Sequence, residues 1–584
     1  MDTATAMASP APAAAAVFTR SEKAFTLAGA LLGLLLAALD QTIVATAGPA
    51  VQADLGIAAS LYPWITTSYL VASVVMVPLW GKLSDLFGRR SVLVAGIGIF
   101  LTGSFLCGVA WDTMSLILFR AVQGLGSAAL FTSAFAVAAD LFPPAERGKY
   151  QGLFGGVFAL SSVVGPLAGG FITDALGWHW VFFINLPVGA LALAVIFLRM
   201  PALRPQRTAR PKLDLAGAAC LVLVVVPLLL ALSLGRGDGH GVPGELGFAW
   251  GSWQVLGLFA LAVVGVGLFL AREARASEPV LDLRLFQDKT FALGNLAVFI
   301  IGAGFLSAFT FLPLYMVNVL ELSATRSGLT IIPLTLGVVA GNVLSGQLVA
   351  RVGRYRGLML VSLAVLSVAF TVMGFTLSAS SSQATVTAKM VLMGLGMGPS
   401  IPLYTLAIQN SVQPRQLGVA TSSATFFRQL GMTVGVALMG TVFAGTLASE
   451  LRTGTAQALE AAPAPLREQL FVSAPGTVGE GAAPGQVFRA GEVKSRLRGS
   501  FEEQRRQARA AGDTAALARV DTAEEQALAT VERVRQATKQ AFTRATSAVY
   551  RMCIGVALLA LLVTVLLPER PLRSGPVPAA RAAE

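Results

Sequence analysis

Fourteen apolar runs, most of them near twenty residues long, punctuate this 584-residue chain and leave it few ways to fold. They lie near 25–47, 62–80, 91–110, 114–138, 150–172, 179–199, 214–234, 252–271, 291–316, 325–348, 357–377, 385–408, 418–443 and 549–567. A helix of that length crosses about 30 Å of hydrocarbon. Inside a bilayer only helices and closed barrels satisfy their own backbone hydrogen bonds. Charged residues make up 13% of the chain, against roughly 25% in soluble domains. The chain therefore reads as an all-α integral membrane protein of about fourteen transmembrane helices.

The formal net charge of +12 raises nucleic acid as a partner, and the positions of the charges argue against it. Alternate connections hold Lys82, Arg89 and Arg90; Arg147 and Lys149; Arg199, Arg204, Arg207, Arg210 and Lys212; Arg272, Arg275, Arg284 and Lys289; Arg351, Arg354 and Arg356; and Arg415. The opposite short connections hold Arg236 and Arg326. This bias sets orientation and predicts that both termini are cytoplasmic, with the lipid bilayer and no nucleic acid as the surroundings. Cys107, Cys220 and Cys553 all fall within apolar runs, so no disulfide framework is expected. Residues 1–24 are Ala/Pro-rich and read as a disordered tail, and the run that follows reads as a retained first helix.

The spans divide into a six-helix bundle over 25–199, two extra helices with a linker over 200–290, helices 9–13 over 291–443, a last helix over 549–567 and a tail over 568–584. Residues 444–548 form an insertion on the outer face. Its second half is charged, rich in alanine and poor in helix breakers after Asp513, so it favours helix and can run unbroken into the last span. It either guides substrate or meets a partner, or is a solvated insertion without a transport role.

An internal repeat supports two matching halves. "GKLSDLFGRR" (Gly81–Arg90) after the second span matches "GQLVARVGRYR" (Gly346–Arg356) after the tenth, and "QGLGSA" (Gln123–Ala128) matches "MGLGMG" (Met393–Gly398), at offsets of 265 and 270. Parallel repeats with a site at their interface are a transporter architecture. The copies differ in chemistry: Asp85 corresponds to Ala350, and Arg120 and Gln123 to Met390 and Met393. No nucleotide-binding G-x-x-x-x-G-K-[S/T] loop, metal-ligand cluster or nucleophile motif stands out, and the chain has two histidines. An enzyme, a metal site and a cofactor are therefore not expected.

At these residues the chain resembles the major facilitator superfamily, and within it the fourteen-helix drug:proton antiporters of the EmrB/QacA type, over nearly its whole length. "GKLSDLFGRR" is similar to the family's gating loop. The resemblance assigns that role to Gly81, Asp85, Gly88, Arg89 and Arg90, with Asp85 pairing with Arg89, Arg90 or a neighbouring helix end. "RAVQGLGSA" (Arg120–Ala128) resembles the fourth-helix motif and implies a part for Arg120 in proton coupling. "GLFGGVFALSSVVGPLAGG" looks like the antiporter motif of helix 5, carried here by Gly152, Gly165, Pro166, Gly169 and Gly170, with Ser161 where glycine is usual. Small residues there let helix backbones touch. "GWHWVFFINLPVG", "FFRQLGMTVGVALMGTVF" with its embedded Arg428, and "EPVLDLRLFQDKTFALGN" resemble further segments of the fourteen-helix branch. The resemblance implies a major facilitator fold with two six-helix bundles plus two extra helices. It also implies a monomer, and a small-molecule substrate with protons as the coupling ion. A bacterial cytoplasmic membrane is the implied location, and a periplasmic adaptor is a candidate partner.

Within the first span, "LDQTIVATAGP" (Leu39–Pro49) places Asp40 where an ionised carboxylate costs roughly 2.5–3.5 kcal/mol on insertion scales. It can face a water-filled cavity, pair with an arginine or take a proton. Competition of proton and substrate for Asp40 gives antiport; an aspartate locked to an arginine gives only structure. Thr42, Gln123, Asn295, Asn342 and Gln409 are candidates to line a substrate cavity, and hydrogen-bonded packing is the alternative for each. The expected function is proton-coupled efflux of lipophilic, often cationic compounds. A dedicated exporter of one metabolite or lipid, and a non-transporting sensor or scaffold, are the alternatives.

Overall fold

The computed structural model describes residues 19–57, 61–62, 64–201, 214–236, 248–322, 330–460 and 490–572. Among them, fourteen helices are long and apolar enough to cross a membrane. The first half comprises α1 (Arg20–Asp54), α2 (Trp64–Phe87), α3 (Arg89–Gly108), α4 (Thr113–Leu141) and α5 (Pro144–Leu176). A sixth span, interrupted at Ile184, completes it as α6 (Trp180–Phe183) and α7 (Asn185–Arg199). The extra pair is α8 (Leu215–Leu234) and α9 (Trp253–Glu273), whose connection carries the two-residue strands β1 (Gly235–Arg236) and β2 (Phe248–Ala249). The second half comprises α10 (Lys289–Asn318), α11 (Ile332–Val352), α12 (Arg356–Thr376), α13 (Gln383–Met397), α14 (Ser400–Asn410) and α15 (Leu417–Glu460). It ends with α16 (Ala490–Ala510) and α17 (Thr514–Leu566).

Two boundaries differ from the sequence reading. The expected tail over 1–24 is shorter, because Thr19 and Glu22 form a capping box that starts α1 at Arg20. Residues 1–18, most of the linker before α8 and the terminal residues 573–584 lie outside the described residues. The insertion expected over 444–548 is not separate from the spans beside it. The thirteenth span continues as α15 to Glu460, and the last span begins as far back as Thr514, giving one helix of 53 residues. The reason is local: α15 contains no proline, and α17 contains no proline and only one glycine, Gly555. The extensions and α16 share a small apolar core of Ala458, Leu497, Phe501, Ala527, Val531 and Val534. Glu321, just past α10, ties this hairpin down by ion pairs to Arg535 at 2.6 Å and Lys539 at 3.2 Å.

The two halves pack alike. In the first, α1 lies against α5 and α7, and α2 against α4; in the second, α10 lies against α15 and α17, and α11 against α13. The halves meet where α2 touches α15 and where α5 touches α11. Glycine makes the closest approaches in both. Gly165 and Gly169 of α5 bring its backbone onto Thr42 and Ile43 of α1. Gly431 and Gly435 of α15, 266 positions later, sit on the backbones of Phe299 and Ala303 of α10. The small-xxx-small spacing is the packing device that lets helix backbones touch in a membrane. Its presence in both halves extends the repeat to a pair of helices where the two matched sequence motifs had not shown it. Gly170, grouped with these by motif, does not take part: nothing lies within 4 Å of where its Cβ would be. Gly152 is on α5, and its surroundings lie outside the described residues.

An alanine at Gly431 would drive its Cβ into the Phe299 carbonyl oxygen, so α10 and α15 must part. Overpacking of this kind costs about 1–3 kcal/mol. Gly431→Ala is expected to lower the thermal unfolding temperature in detergent, whereas Gly170→Ala, facing open space, leaves it unchanged.

Candidate functional site

Asp112 caps α4 by accepting from the Ser115 amide at 2.7 Å. Eight residues after Asp112 begins "RAVQG", which sets Arg120 and Gln123 one turn apart on the same face. Both side chains meet Asp40 of α1. Arg120 Nη1 donates to Asp40 Oδ2 at 2.8 Å, and Gln123 Nε2 donates to Asp40 Oδ1 at 2.8 Å. A third donor arrives from α7, where the Asn185 amide reaches Asp40 Oδ1 at 2.8 Å and Ser104 of α3 at 2.9 Å. Arg120 also donates to Gln123 Oε1 at 2.6 Å and to the Ile65 carbonyl at 3.3 Å. Its guanidinium lies 4.3 Å from the centre of the Tyr69 ring. Tyr69 in turn donates to Ser127 at 2.6 Å. Asp40 and Gln123 are 0% exposed, and Arg120 and Asn185 are 1%. Five helices, α1, α2, α3, α4 and α7, thus close on one charge-neutral cluster.

Of the residues singled out from sequence, Asp40, Arg120 and Gln123 are brought together here. Asn185 and Ser104 were missed. Asn185 carried a signal, an amide inside the apolar "FFINLPVG"; a buried serine in an apolar helix carries none. The remaining cavity candidates lie elsewhere. Thr42 donates to the Ser161 carbonyl at 3.0 Å, on the α1–α5 contact. Asn295 of α10 accepts from Ser423 of α15 at 3.1 Å. Gln409 of α14 donates to Thr421 of α15 at 2.9 Å. Asn342 of α11 faces Gly155 of α5. Each of these four sits at a different helix contact.

A second constellation joins the halves at one end of the bundle. Asp85, at the end of α2, accepts from the backbone amides of Gly418 at 3.0 Å and Val419 at 2.9 Å. These are free donors of the first turn of α15, and the helix dipole favours a carboxylate there. Arg89 holds that carboxylate at 2.8 Å and reaches Asp140, at the end of α4, at 2.6 Å. Gly81 lets α2 approach closely: an added Cβ would collide with Ser422 and lie 2.8 Å from the Gly418 carbonyl. Gly88 has φ of +87° and turns the chain into α3. Arg90 does not join Asp85; it donates to the Phe197 carbonyl at 2.9 Å. Asp140 was not anticipated, since a carboxylate at a helix end looks like any solvated residue. In the second half the place of Asp85 is taken by Ala350, so the latch is one-sided.

Residues 30–436 match the family model described as Major Facilitator Superfamily. The chain belongs to that superfamily. It is 40% identical to the multidrug transporter protein MdtP of Bacillus subtilis over 423 residues, 72% of this chain and 76% of the relative. It is 36% identical to multidrug resistance protein 3 of the same organism over 472 residues, 80% and 86% of the two chains. Its fold is similar to the crystal structure of the human organic anion transporter MFSD10 (TETRAN), with a TM-score of 0.53 at 17% identity over 72% of this chain and 94% of that one. It is also similar to the proton:xylose symporter XylE, with a TM-score of 0.51 at 14% identity over 72% and 88%. Membership makes this superfamily protein a multi-pass membrane transporter of small molecules and not an enzyme.

Removing one partner of a buried ion pair costs about 3–5 kcal/mol, because the other is left charged and unpaired. Asp40→Asn is expected to lower the thermal unfolding temperature in detergent. Adding Arg120→Met to it should recover much of the loss. Equal or greater destabilisation in the double variant would show that Arg120 stabilises the fold without Asp40.

Proposed function

We propose that this chain is a proton-coupled antiporter that exports lipophilic compounds across the bacterial cytoplasmic membrane. The observation that carries the reading is the saturation of Asp40 by Arg120, Gln123 and Asn185 in a fully buried cluster. A carboxylate so held is stable as the anion only while Arg120 remains on it. A proton on Asp40 abolishes the ion pair and frees Arg120, which also bears on Ile65 and Tyr69 of α2. The same helix carries Gly81 and Asp85, the latch onto α15. Between Tyr69 and Asp85 lie sixteen residues of one helix, about 24 Å. Protonation beside Tyr69 thereby acts on closure at Asp85 through one continuous helix, which carries Pro78 between the two. The lysine and arginine bias of the connections supports a latch on the cytoplasmic face and both termini in the cytoplasm. The names of the bacterial relatives, a multidrug transporter and a multidrug resistance protein, support export and a broad substrate range. The fixed Asp40 carboxylate has no free oxygen for a cationic substrate while Arg120 is in place.

The test is proton movement in proteoliposomes carrying a pH gradient, followed on addition of a panel of lipophilic dyes. Substrate-dependent collapse of the gradient is expected for the wild type. It should be lost in Asp40→Asn and reduced in Asp85→Asn. Dye transport without proton movement in the wild type would refute antiport. Equal proton movement in wild type and Asp40→Asn would remove Asp40 from the coupling.

A further inference from the structure

Arg428 lies eleven residues into α15, about 16 Å along the helix and so near the middle of a 30 Å hydrocarbon layer. Its guanidinium crosses to the other half of the protein, 5.7 Å from the centre of the Phe135 ring on α4. It is partly exposed rather than sealed. Among the described residues no carboxylate, hydroxyl or carbonyl accepts from it. Other arginines of these helices do have partners. Arg120 has Asp40, Arg89 has Asp85 and Asp140, Arg147 has the Phe142 and Ala139 carbonyls, and Arg551 has the Gly374 carbonyl. An arginine at mid-membrane depth is costly unless something pairs with it. Asp40 of α1 is fully engaged, and its partner Arg120 lies fifteen residues from Phe135 along α4. That is about 22 Å of helix, so the two sites are separate.

The surroundings of Arg428 are aromatic. Phe135 meets Phe154 of α5 edge to face at 4.7 Å, and one turn earlier Phe131 stacks on Phe158 at 5.9 Å. Next to Phe154, Gly155 abuts Asn342 of α11, whose buried Oδ1 has no hydrogen-bond partner. Gln429, beside Arg428, likewise keeps Oε1 without one. Helices α4, α5, α11 and α15, two from each half, thus meet around one uncompensated positive charge and a phenylalanine cluster, with the two amide oxygens as acceptors that take no part in holding an anion.

We propose that Arg428 receives an acidic group of the transported molecule, a carboxylate or comparable anion on an aromatic body that packs on Phe135 and its neighbours. This deepens, and rests on, the transport reading, and it makes lipophilic acids rather than cations the preferred class. A phospholipid headgroup offers the same anionic chemistry and is separated from it below.

The experiment is equilibrium binding of 2-naphthoate and of its cationic counterpart naphthylmethylammonium to the full chain in phosphatidylcholine nanodiscs. The wild type should prefer the carboxylate. Arg428→Gln should weaken carboxylate binding by about tenfold or more and leave the ammonium probe unaffected, which also reports that the variant is folded. Arg428→Lys should keep the preference. In the wild type, 2-naphthoate and not the ammonium should protect Arg428 from phenylglyoxal, read by mass spectrometry; this arm needs no variant. Unchanged carboxylate affinity in Arg428→Gln, an ammonium preference in the wild type, or absence of protection would overturn the proposal. Competition by phosphatidylglycerol nanodiscs, confined to the wild type, would give the site to a lipid headgroup and overturn its assignment to the transported molecule. No gradient is applied, so these outcomes stand apart from the proton-flux test: binding without proton movement would sink antiport and leave the acid site in place.

Discussion

The ion pair between Asp40 and Arg120 organises the first half of this transporter. Each charge alone would be unfavourable in the hydrocarbon layer; together they are neutral, and the remaining acceptor capacity of Asp40 is filled by Gln123 and Asn185. A buried pair is weak evidence for added stability, because desolvation offsets attraction. What it does supply is mutual placement. The partners come from helices far apart in sequence, and none can shift without leaving a buried polar group unmatched. The interruption at Ile184 that opens α7 with Asn185 fits this need, since it delivers an amide to the cluster from inside an otherwise apolar span.

The architecture is nearly symmetric and the chemistry is not. Glycine pairs draw α5 onto α1 and α15 onto α10 in the same way, so backbone packing is duplicated. The positions of Arg120 and Gln123 are Met390 and Met393 in the other half, both fully buried. Methionine fills such a site without a partner, as a flexible apolar side chain adapts to irregular space. At these two positions the second half is packed where the first is polar. Its one intramembrane arginine on α15, Arg428, points across the interface instead of into its own bundle.

The sequence made the spans legible because a bilayer imposes length and apolarity on every helix that crosses it. Twelve of the fourteen runs correspond to spans with shifts of a few residues at their ends. The large departures, α15 and α17, came from treating charge as the end of a helix, whereas breakers end helices and charge only ends the membrane-embedded part. Asp40, Arg120 and Gln123 were readable because a polar group in an apolar run must be explained. Asn185 and Ser104 were harder, since an isolated amide or hydroxyl can satisfy itself on its own helix. Asp85 was readable as a helix-end partner, but its choice of α15 rested on tertiary placement that spacing along the chain does not encode.

Because α17 is one unbroken helix from Thr514 to Leu566, the hairpin is not a loop carried passively beside the bundle. The roughly 35 residues before the last span make an arm of about 50 Å. A stiff rod of that length turns a tilt of about 10° in the last span into a displacement of about 9 Å at its far end. Rocking of the second half, too small to see by its own helices alone, would be written large at the turn around Gly512, which makes that turn a natural pointer for the position of the transport cycle.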